Sequence, residues 1–172
     1  MTESFLKRGK TVCWEDIHTE LQVAAKEGNA DTIISLLSSF QANVNYQGYH
    51  NGMTPLHWVA VKGHKDVVLL LLDRGADLNI ACQAGATALH AAAHEGHTDV
   101  ARLFLDRGTD PNVANQFGET ALYRAVHKGH KELALLLLQK GADPNMAAHS
   151  GATALHYAGI KGLKDMAVSY TH

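Results

Sequence analysis

Histidine is the residue type in this sequence with the widest capacity for chemistry, since a neutral imidazole can bind a metal ion or transfer a proton near neutral pH. Twelve of the 172 residues are histidines. Among them, His90, His94 and His97 have the i, i+4 and i+3 spacings that place side chains on neighbouring turns of one helix face. This spacing raises a histidine-based, metal-dependent enzyme as a remote hypothesis. No cysteine, aspartate or glutamate completes a coordination shell around the three, so we expect neither a metal site nor a metal cofactor.

Half of the histidines fall into two groups that recur along the chain. One group occupies the last position of a four-residue motif that begins with threonine and has leucine third; its members are His57, His90 and His156. A second group directly follows a glycine; its members are His64, His97 and His130. Because both groups repeat at a fixed interval, repetition rather than one catalytic cluster accounts for the number of histidines.

Cysteine offers little nucleophilic chemistry in this sequence. Cys13 and Cys82 are the only two cysteines, and the neighbours of Cys82, Ala81 and residues 83–86, include no base or cation that would favour a thiolate. The repeated glycines fit turns and helix ends rather than a phosphate-binding loop. We therefore expect no enzyme activity and no cofactor. Two cysteines are also too few for a disulfide framework, so we expect a cytoplasmic protein, with the nucleus as the alternative location.

The overall composition is that of a globular protein without a specialised charge. Hydrophobic residues make up 46% of the chain and charged residues 19%, which is enough apolar surface for a continuous core. The formal charge of -2 provides no basic field for phosphates, so we expect no nucleic acid partner. Residues 1–10 lack the apolar stretch of a signal peptide, and the apolar run at 69–72 is far shorter than the roughly 18 residues of a membrane span. We therefore expect no membrane partner.

A motif of four residues starts every 33 residues through most of the chain. Its copies are Thr54-Pro55-Leu56-His57, Thr87-Ala88-Leu89-His90, Thr120-Ala121-Leu122-Tyr123 and Thr153-Ala154-Leu155-His156. The same step separates Gly-His pairs that begin at Gly63, Gly96 and Gly129, and Gly-x-Asp-x-Asn segments that begin at Gly75, Gly108 and Gly141. Several motifs that keep one phase indicate an internal repeat.

Each part of the repeat has a local physical role. A threonine at the head can cap a helix by accepting a hydrogen bond from a free backbone N–H, and Pro55 suits the first helical position, where a missing N–H costs nothing. Gly63 follows the first helix, where a residue that tolerates positive φ allows a tight reversal. Gly75 ends the second helix as a left-handed cap. The pattern predicts units of two short helices, and these must stack because one pair cannot bury its apolar face alone.

With its period of 33 and its Thr-Pro-Leu-His head, the sequence resembles the ankyrin-repeat family over about residues 19–172. The resemblance implies a mostly α fold, an ankyrin-repeat α-solenoid in which helix-turn-helix units are joined by β-hairpin loops, with about five repeats. The expected domains are an N-terminal tail or cap at 1–18, an atypical repeat 1 at 19–52, repeat 2 at 53–85, repeat 3 at 86–118, repeat 4 at 119–151 and a truncated C-terminal repeat 5 at 152–172.

Three places depart from the pattern. Gln22 and Tyr123 stand where the other heads have histidine, and neither is expected to make both ring hydrogen bonds, so these heads should be looser or repacked. At the N-terminus, Val12, Trp14 and Ile17 either cover the first helix pair or belong to a mobile tail. At the other end, a short natural cap and a longer parent protein are both consistent with the sequence.

The resemblance also implies where a partner binds. In ankyrin stacks the hairpin tips and the outward sides of the first helices line up along one concave face, where residues have no role inside the repeat. The residues expected to contact a partner are Tyr49, His50, Met53, Trp58, Lys62, Gln83, His94, Glu95, Gln116, Phe117, Glu119, Arg124, His127, Lys128, His149 and Tyr157. Those expected to anchor it are Trp58, Phe117, Arg124 and Tyr157. Tryptophan, tyrosine and arginine are the residue types that most often dominate binding energy.

These expectations favour a protein–protein interaction module, an adaptor or scaffold that acts as a monomer and binds another protein along the concave face. The alternative is the substrate-recruiting ankyrin domain of a larger regulatory or effector protein. The histidine-based metal-dependent enzyme is the remote alternative.

Overall fold

The computed structural model describes residues 14–49 and 51–160, and helices dominate both ranges. The helices in these ranges are α1 (Trp14–Glu27), α2 (Ala30–Ser39), α3 (Pro55–Lys62), α4 (Lys65–Asp73), α5 (Ala88–Glu95), α6 (Thr98–Asp106), α7 (Ala121–Lys128), α8 (Lys131–Gln139) and α9 (Ala154–Ile160). An isolated antiparallel bridge joins Ala147 and Thr153 in the loop before α9. Among the described residues, no helix has the length and apolar character that crossing a membrane requires.

The helices form pairs, and the pairs are stacked one after another. α1 pairs with α2, α3 with α4, α5 with α6, and α7 with α8. The first helices of the pairs pack side by side in the order α1, α3, α5, α7, α9, while α4, α6 and α8 form a second row. The predicted mostly α solenoid of helix pairs is therefore confirmed.

In two central pairs, a threonine caps the start of the first helix. Thr54 has an extended backbone, and its side chain and that of His57 form a reciprocal capping box at the start of α3. In this box the Nδ1 atom of His57 accepts from the backbone N–H of Thr54 at 3.1 Å. Thr87 and His90 form the same box at the start of α5. The repeated head motif therefore sets where these helices begin.

The reversal between paired helices requires glycine at Gly63. This residue ends α3 with a φ of 75°, a left-handed conformation that strains residues with side chains. A Cβ at Gly63 would also lie 2.6 Å from Nδ1 of His97 in the next repeat. The His97 ring reaches across the glycine, and its Nε2 atom donates to the carbonyl of Val61 at 3.0 Å. Equivalent contacts join His64 to Lys26 and His130 to His94.

One hydrophobic core runs through all the helix pairs. Its fully buried side chains include leucines at one position of successive first helices, namely Leu21, Leu56, Leu89 and Leu122. The second helices contribute Leu71, Phe104 and Leu137, also at one shared position. An isolated pair would leave these faces in water, so contacts between neighbouring pairs supply much of the stability.

The first helix starts at Trp14, upstream of residue 19, where repeat 1 is expected to begin. Residues 14–18 therefore extend the first helix pair. Ile17 is buried because it lies one turn before Leu21 on the same face of α1. Val12 falls outside the described residues, as does the part of the predicted repeat 5 after Ile160.

Candidate functional site

The candidate binding surface is built on side chains that occupy the same position of successive first helices. This position, here called the inner row, holds Val23, Trp58, Ala91, Arg124 and Tyr157. Because the first helices pack side by side, the five residues follow one another along the stack. Ala91 is the smallest of the five, so it leaves a gap in the row between Trp58 and Arg124.

Trp58 is half-buried and packs against the core. Its indole N–H donates to Oε1 of Gln22 at 3.3 Å. The Nζ atom of Lys26 lies 5.3 Å from the centroid of the indole ring, within the range of a cation–π contact. Both contacts are made to α1, so Trp58 joins the first two helix pairs, and its polar edge is already satisfied inside the chain.

Gln22 makes a bond to the next repeat that a histidine makes in other heads. In α3, Nε2 of His57 lies 3.0 Å from the carbonyl oxygen of Ala86, the residue before the next head. The side-chain amide of Gln22 donates to the corresponding carbonyl, that of Met53, at 2.9 Å, and to that of Tyr46 at 3.2 Å. Of the two bonds that a head histidine makes, Gln22 thus keeps the one to the next repeat, because an amide N–H replaces the imidazole N–H.

His57 and His90 are buried, uncharged histidines. Nε2 of His90 lies 3.0 Å from the carbonyl oxygen of Glu119; a carbonyl can only accept, so Nε2 carries the proton. Nδ1 of His90 then accepts from the backbone N–H of Thr87 at 3.2 Å. Burial lowers the pKa of both rings and, with a smaller contribution from the charge of Arg124, brings the pKa of His90 to about 4.

The head of α7 is built differently, around Tyr123. Thr120 still caps the helix by accepting from the N–H of Tyr123 at 3.2 Å. The buried Tyr123 ring meets Tyr157 edge-on with centroids 5.3 Å apart, and His127 lies 4.8 Å from Tyr157. Burial, together with a hydrogen bond to Tyr157, raises the pKa of Tyr123 to about 12. This head is therefore repacked, with aromatic contacts in place of the histidine bonds.

Arg124 belongs to a polar network at the hairpin before α7, here called the Arg124 network (Asn115, Glu119 and Arg124). The Nε and Nη2 atoms of Arg124 lie 3.1 and 3.0 Å from the same Oε2 atom of Glu119. That oxygen also accepts from Nδ2 of the buried Asn115 at 3.0 Å. Oδ1 of Asn115 accepts from the backbone N–H groups of Phe117 and Glu119. The network thus fixes a guanidinium in the inner row and the backbone of an aromatic residue at the tip.

The hairpin tips form a second strip along the stack. Tyr49 and Phe117 carry its exposed aromatic rings, with 69% and 57% of their surface accessible. Backbone bonds join neighbouring tips, from Gln83 to Asn51 at 2.9 Å, from Gln116 to Ala84 at 3.0 Å and from His149 to Phe117 at 2.8 Å. The tips therefore present apolar surface on a backbone that its neighbours hold in place.

The other predicted contact residues lie on the tips and the first helices with different exposure. The exposed ones are Lys62, Gln83, Glu95, Gln116, His127, Lys128 and His149, and the half-buried ones are Met53, His94 and Glu119. His50 falls outside the described residues. The structure thus distributes the predicted residues along both strips, and their contact with a partner stays a prediction.

The three histidines with metal-ligand spacing have separate partners. His90 is bonded inside the head of α5, His94 lies 2.9 Å from Oε1 of Glu95, and His97 is bonded to the preceding repeat. Within residues 14–49 and 51–160, no group of three or more histidine, cysteine, aspartate or glutamate side chains is placed to hold a metal ion. The three rings therefore serve three different contacts.

Sequence reasoning misses Lys26 and the roles of Gln22 and Asn115. A signal exists for Asn115, because an asparagine in a turn tends to bond backbone N–H groups two residues on. Lys26 gives no such signal, since its contact with Trp58 joins two different repeats. Gln22 is conspicuous only as the wrong residue at a histidine position.

Comparison with known proteins agrees with this geometry. A family model described as ankyrin repeats, in three copies, matches residues 21–115 and 103–168. A protein of Oryza sativa subsp. japonica named probable E3 ubiquitin-protein ligase XBOS33 is 40% identical over 62 residues. An ankyrin repeat-containing protein of Schizosaccharomyces pombe is 44% identical over 64 residues, and the scaffold protein ILK of Homo sapiens is 36% identical over 66 residues.

These matches cover only part of each protein. They take in 36%, 37% and 38% of this chain, in the same order, and 12%, 30% and 14% of the relatives. The chain therefore spans less than a third of the length of each of these relatives.

Proposed function

The chain belongs to the ankyrin-repeat family, and on that premise we propose that it is an adaptor or scaffold that binds its partner along the inner row and the hairpin tips. Repeats of this family are protein-interaction modules, so the partner is a protein. The observation that carries the proposal is the exposure of Tyr49 and Phe117 on a strip of tips whose backbones are bonded to one another. Large rings with few rotatable bonds supply contact area at low entropic cost.

Charges at the ends of the first helices support binding in one register. The last residue of α1, α3, α5 and α7 alternates in sign and is exposed in each case, as Glu27, Lys62, Glu95 and Lys128. A partner that lies along the stack meets these charges in a fixed order. Complementary charges fix register and exclude wrong partners more than they add affinity, so this alternation would orient the bound protein.

The test compares a tip variant with a variant on a second helix. Tyr49→Ser combined with Phe117→Ser removes both exposed tip rings, whereas Ile34→Ser removes an exposed apolar side chain from α2. Each protein is crosslinked in the native cells and the captured proteins are identified by mass spectrometry. We expect the partner to be recovered with the wild type and the Ile34 variant, and to fall about tenfold with the tip variant.

Equal recovery with the tip variant, in a protein whose circular dichroism is unchanged, would contradict the proposal. Trp58 is unsuitable for this test. Its ring packs on the core and bonds Gln22, so its removal would alter folding together with binding.

A second candidate function is a substrate-recruiting domain of a larger regulatory or effector protein. The observation in its favour is the similarity to the rice protein named as an E3 ubiquitin-protein ligase, of which the match covers 12%. In this case the same surface would deliver a bound protein to a catalytic or effector part. An antibody raised against residues 14–160 separates the two candidates: an immunoblot band near 18.6 kDa favours the adaptor, and a much larger band favours the recruiting domain.

We also propose that the chain is a monomer in the cytoplasm or, alternatively, in the nucleus. It would have no catalytic activity and would bind neither nucleic acid nor membranes. The near-neutral formal charge of -2 supports the expectation about nucleic acid, since phosphate binding depends on a basic surface. Light scattering on the purified chain tests the oligomeric state, with a monomer mass of 18.6 kDa as the expected result.

A further inference from the structure

The Arg124 network is absent from the equivalent hairpins of the described chain. The position of Asn115 is taken by Cys82 before α5 and by Ala148 before α9, and the position of Glu119 by alanine in both. All three hairpins close with the same backbone bond, from Cys82 to Ala86 at 2.9 Å, from Asn115 to Glu119 at 3.0 Å and from Ala148 to Ala152 at 2.9 Å. The turn thus forms without the network, so the network has a role other than closing the hairpin.

Arg124 keeps part of its hydrogen-bonding capacity unused. A guanidinium has five N–H donors in a planar fork. The edge formed by Nε and Nη2 faces Glu119, while the edge formed by Nη1 and Nη2 has no acceptor among the described residues. The side chain is 23% accessible, so part of it is open to a partner. Glu119, itself bonded to Asn115, holds the guanidinium in place before any partner arrives.

Lys128 adds a second cation on the same helix face. It lies four residues after Arg124 in α7, a spacing that makes two side chains neighbours, and like charges at this spacing destabilise a helix. Lys128 is exposed and has no ion pair within residues 14–49 and 51–160. At the corresponding position of α5, Glu95 is bonded to His94. An acidic side chain of a partner could therefore pair with the exposed ammonium group of Lys128.

Ala91, which precedes Arg124 in the inner row, places only a methyl group between Trp58 and Arg124. Trp58 turns away from this gap, since its contacts are with Gln22 and Lys26 in α1. The positive charge of Arg124 contributes to the low pKa of His90, so the guanidinium lies near α5. On the tip side, Phe117 has an exposed ring, and its backbone N–H is bonded to Asn115.

From this arrangement we propose that Arg124 and Phe117 form a site for an acidic, extended segment of the partner protein. A carboxylate of the segment binds the free Nη1 and Nη2 edge of Arg124 as a two-pronged ion pair, and an apolar side chain of the segment packs on Phe117. A second acidic side chain meets Lys128. In an extended segment, alternate residues point to the same side about 7 Å apart, so an apolar residue and an acidic residue separated by one position can both face the chain.

The test uses fluorescein-labelled synthetic peptides and the full chain. Each peptide carries one leucine and two aspartates at varied spacing in a glycine and serine background, and each has a partner peptide in which asparagine replaces aspartate. Binding is measured by fluorescence anisotropy at low and high salt. The protein variants are Arg124→Gln, Lys128→Gln and Phe117→Ser, with Arg102→Gln on the exposed side of α6 as the matched control for loss of an arginine charge.

We expect the aspartate peptides to bind and the asparagine peptides to bind about tenfold more weakly. Arg124→Gln should weaken binding of the aspartate peptides about tenfold, and high salt should reduce the difference between the two peptide sets. Lys128→Gln should weaken binding less, and it leaves the Arg124 network intact, so its effect does not depend on folding. Arg102→Gln should bind as the wild type does.

This inference rests on the proposed function, and its failure can be told apart from failure of that function. Equal binding of aspartate and asparagine peptides, or unchanged binding by Arg124→Gln, overturns the acidic site. If capture of a partner still depends on Tyr49 and Phe117 in that case, the proposed function stands. A phosphoserine peptide that binds more tightly than both aspartate and glutamate peptides would replace the site with one for phosphorylated segments.

Discussion

The heads of α5 and α7 occupy equivalent places in successive repeats and are held together in different ways. At α5, His90 is buried and uncharged, and it bonds its own threonine and the carbonyl of Glu119 in the next repeat. At α7, Tyr123 instead packs edge-on against Tyr157 of the next repeat and shares a side-chain hydrogen bond with it. Both heads cap their helix with threonine.

The difference shows that a helix cap and a contact between repeats are separable. The threonine decides where each helix starts, because it satisfies a backbone N–H whatever follows it. The residue at the fourth position decides how one repeat holds the next, through a hydrogen bond at His90 or through ring contact at Tyr123. Only the first solution makes stability depend on pH near neutrality, since only histidine changes charge there.

The largest effect is expected from His90→Ala. The change removes the bonds from His90 to Thr87 and to the carbonyl of Glu119 and opens a buried cavity, so it should lower the free energy of unfolding by about 3 kcal/mol. Urea unfolding followed by circular dichroism measures the loss. His127→Ala at an exposed position of α7 is the control and should cost much less. Similar losses in both variants would mean that the α5 head is not a specific contact.

The pH dependence separates the charge of His90 from its hydrogen bond. Its pKa is about 4 in the folded chain against 6.5 in the unfolded chain, so the unfolded state binds the proton more strongly. Stability should therefore be full above pH 6.5 and fall as the pH drops towards 4, by about 2 kcal/mol at pH 5 from this residue alone. His90→Gln keeps a donor, as Gln22 does, and removes the titration.

The measurement is the urea midpoint of the wild type and of His90→Gln at pH 7 and pH 5. We expect the variant to lose clearly less stability between the two pH values than the wild type. His57, whose pKa is also lowered by burial, contributes to the loss on acidification in both proteins. The same loss in both proteins would show that protonation of His90 does not control acid unfolding.

Converting one head into the other should change stability little at neutral pH. In Tyr123→His, Nε2 of the new histidine would reach the carbonyl of Ala152, which precedes the head of α9 as Glu119 precedes that of α7. The added bond and the lost contact with Tyr157 are each worth about 1 kcal/mol, so the unfolding free energy at pH 7 should stay within about 1 kcal/mol. The loss on acidification should grow, because a third buried histidine, besides His57 and His90, must stay uncharged. An unaltered pH dependence would show that the new ring remains exposed.

The sequence is sufficient to predict the heads, because their parts lie within four residues and recur every 33. Thr54 and His57 are one helical turn apart, so their spacing alone predicts the capping box. The stack follows from the same repetition, since Leu56 and Leu89 need a common core. Local spacing therefore accounts for most of the fold.

The candidate site could be predicted only in part, because its decisive contacts join different repeats or depend on side-chain direction. Trp58 and Arg124 hold the same position in the repeat, yet one packs towards α1 and the other bonds Glu119 beside its own helix. No periodicity separates these outcomes. Tyr49 and Phe117 were within reach of prediction, since hairpin tips are exposed whatever residue they carry.

The smallest expected effect on stability concerns the first repeat, where Gln22 takes the place of the head histidine. Here Gln22 is a third solution, an amide that bonds the next repeat, and it brings Trp58 under the ammonium group of Lys26. Lys26→Gln should remove the cation–π contact and lower the unfolding free energy by about 0.5 kcal/mol. Lys62→Gln is the matched control, because Lys62 is also an exposed lysine near the end of a first helix and has no aromatic partner among the described residues.

The urea midpoints of these two variants, measured together at low salt, show whether the contact between Lys26 and Trp58 stabilises the fold. A loss confined to Lys26→Gln would show that the amide head is reinforced by a contact that neither the His90 head nor the Tyr123 head possesses. Equal midpoints would mean that the cation–π contact adds no measurable stability to the bonds of Gln22. The first repeat, in which Thr19 lies inside α1 rather than at its start, would then share with the His90 head only the bond to the next repeat.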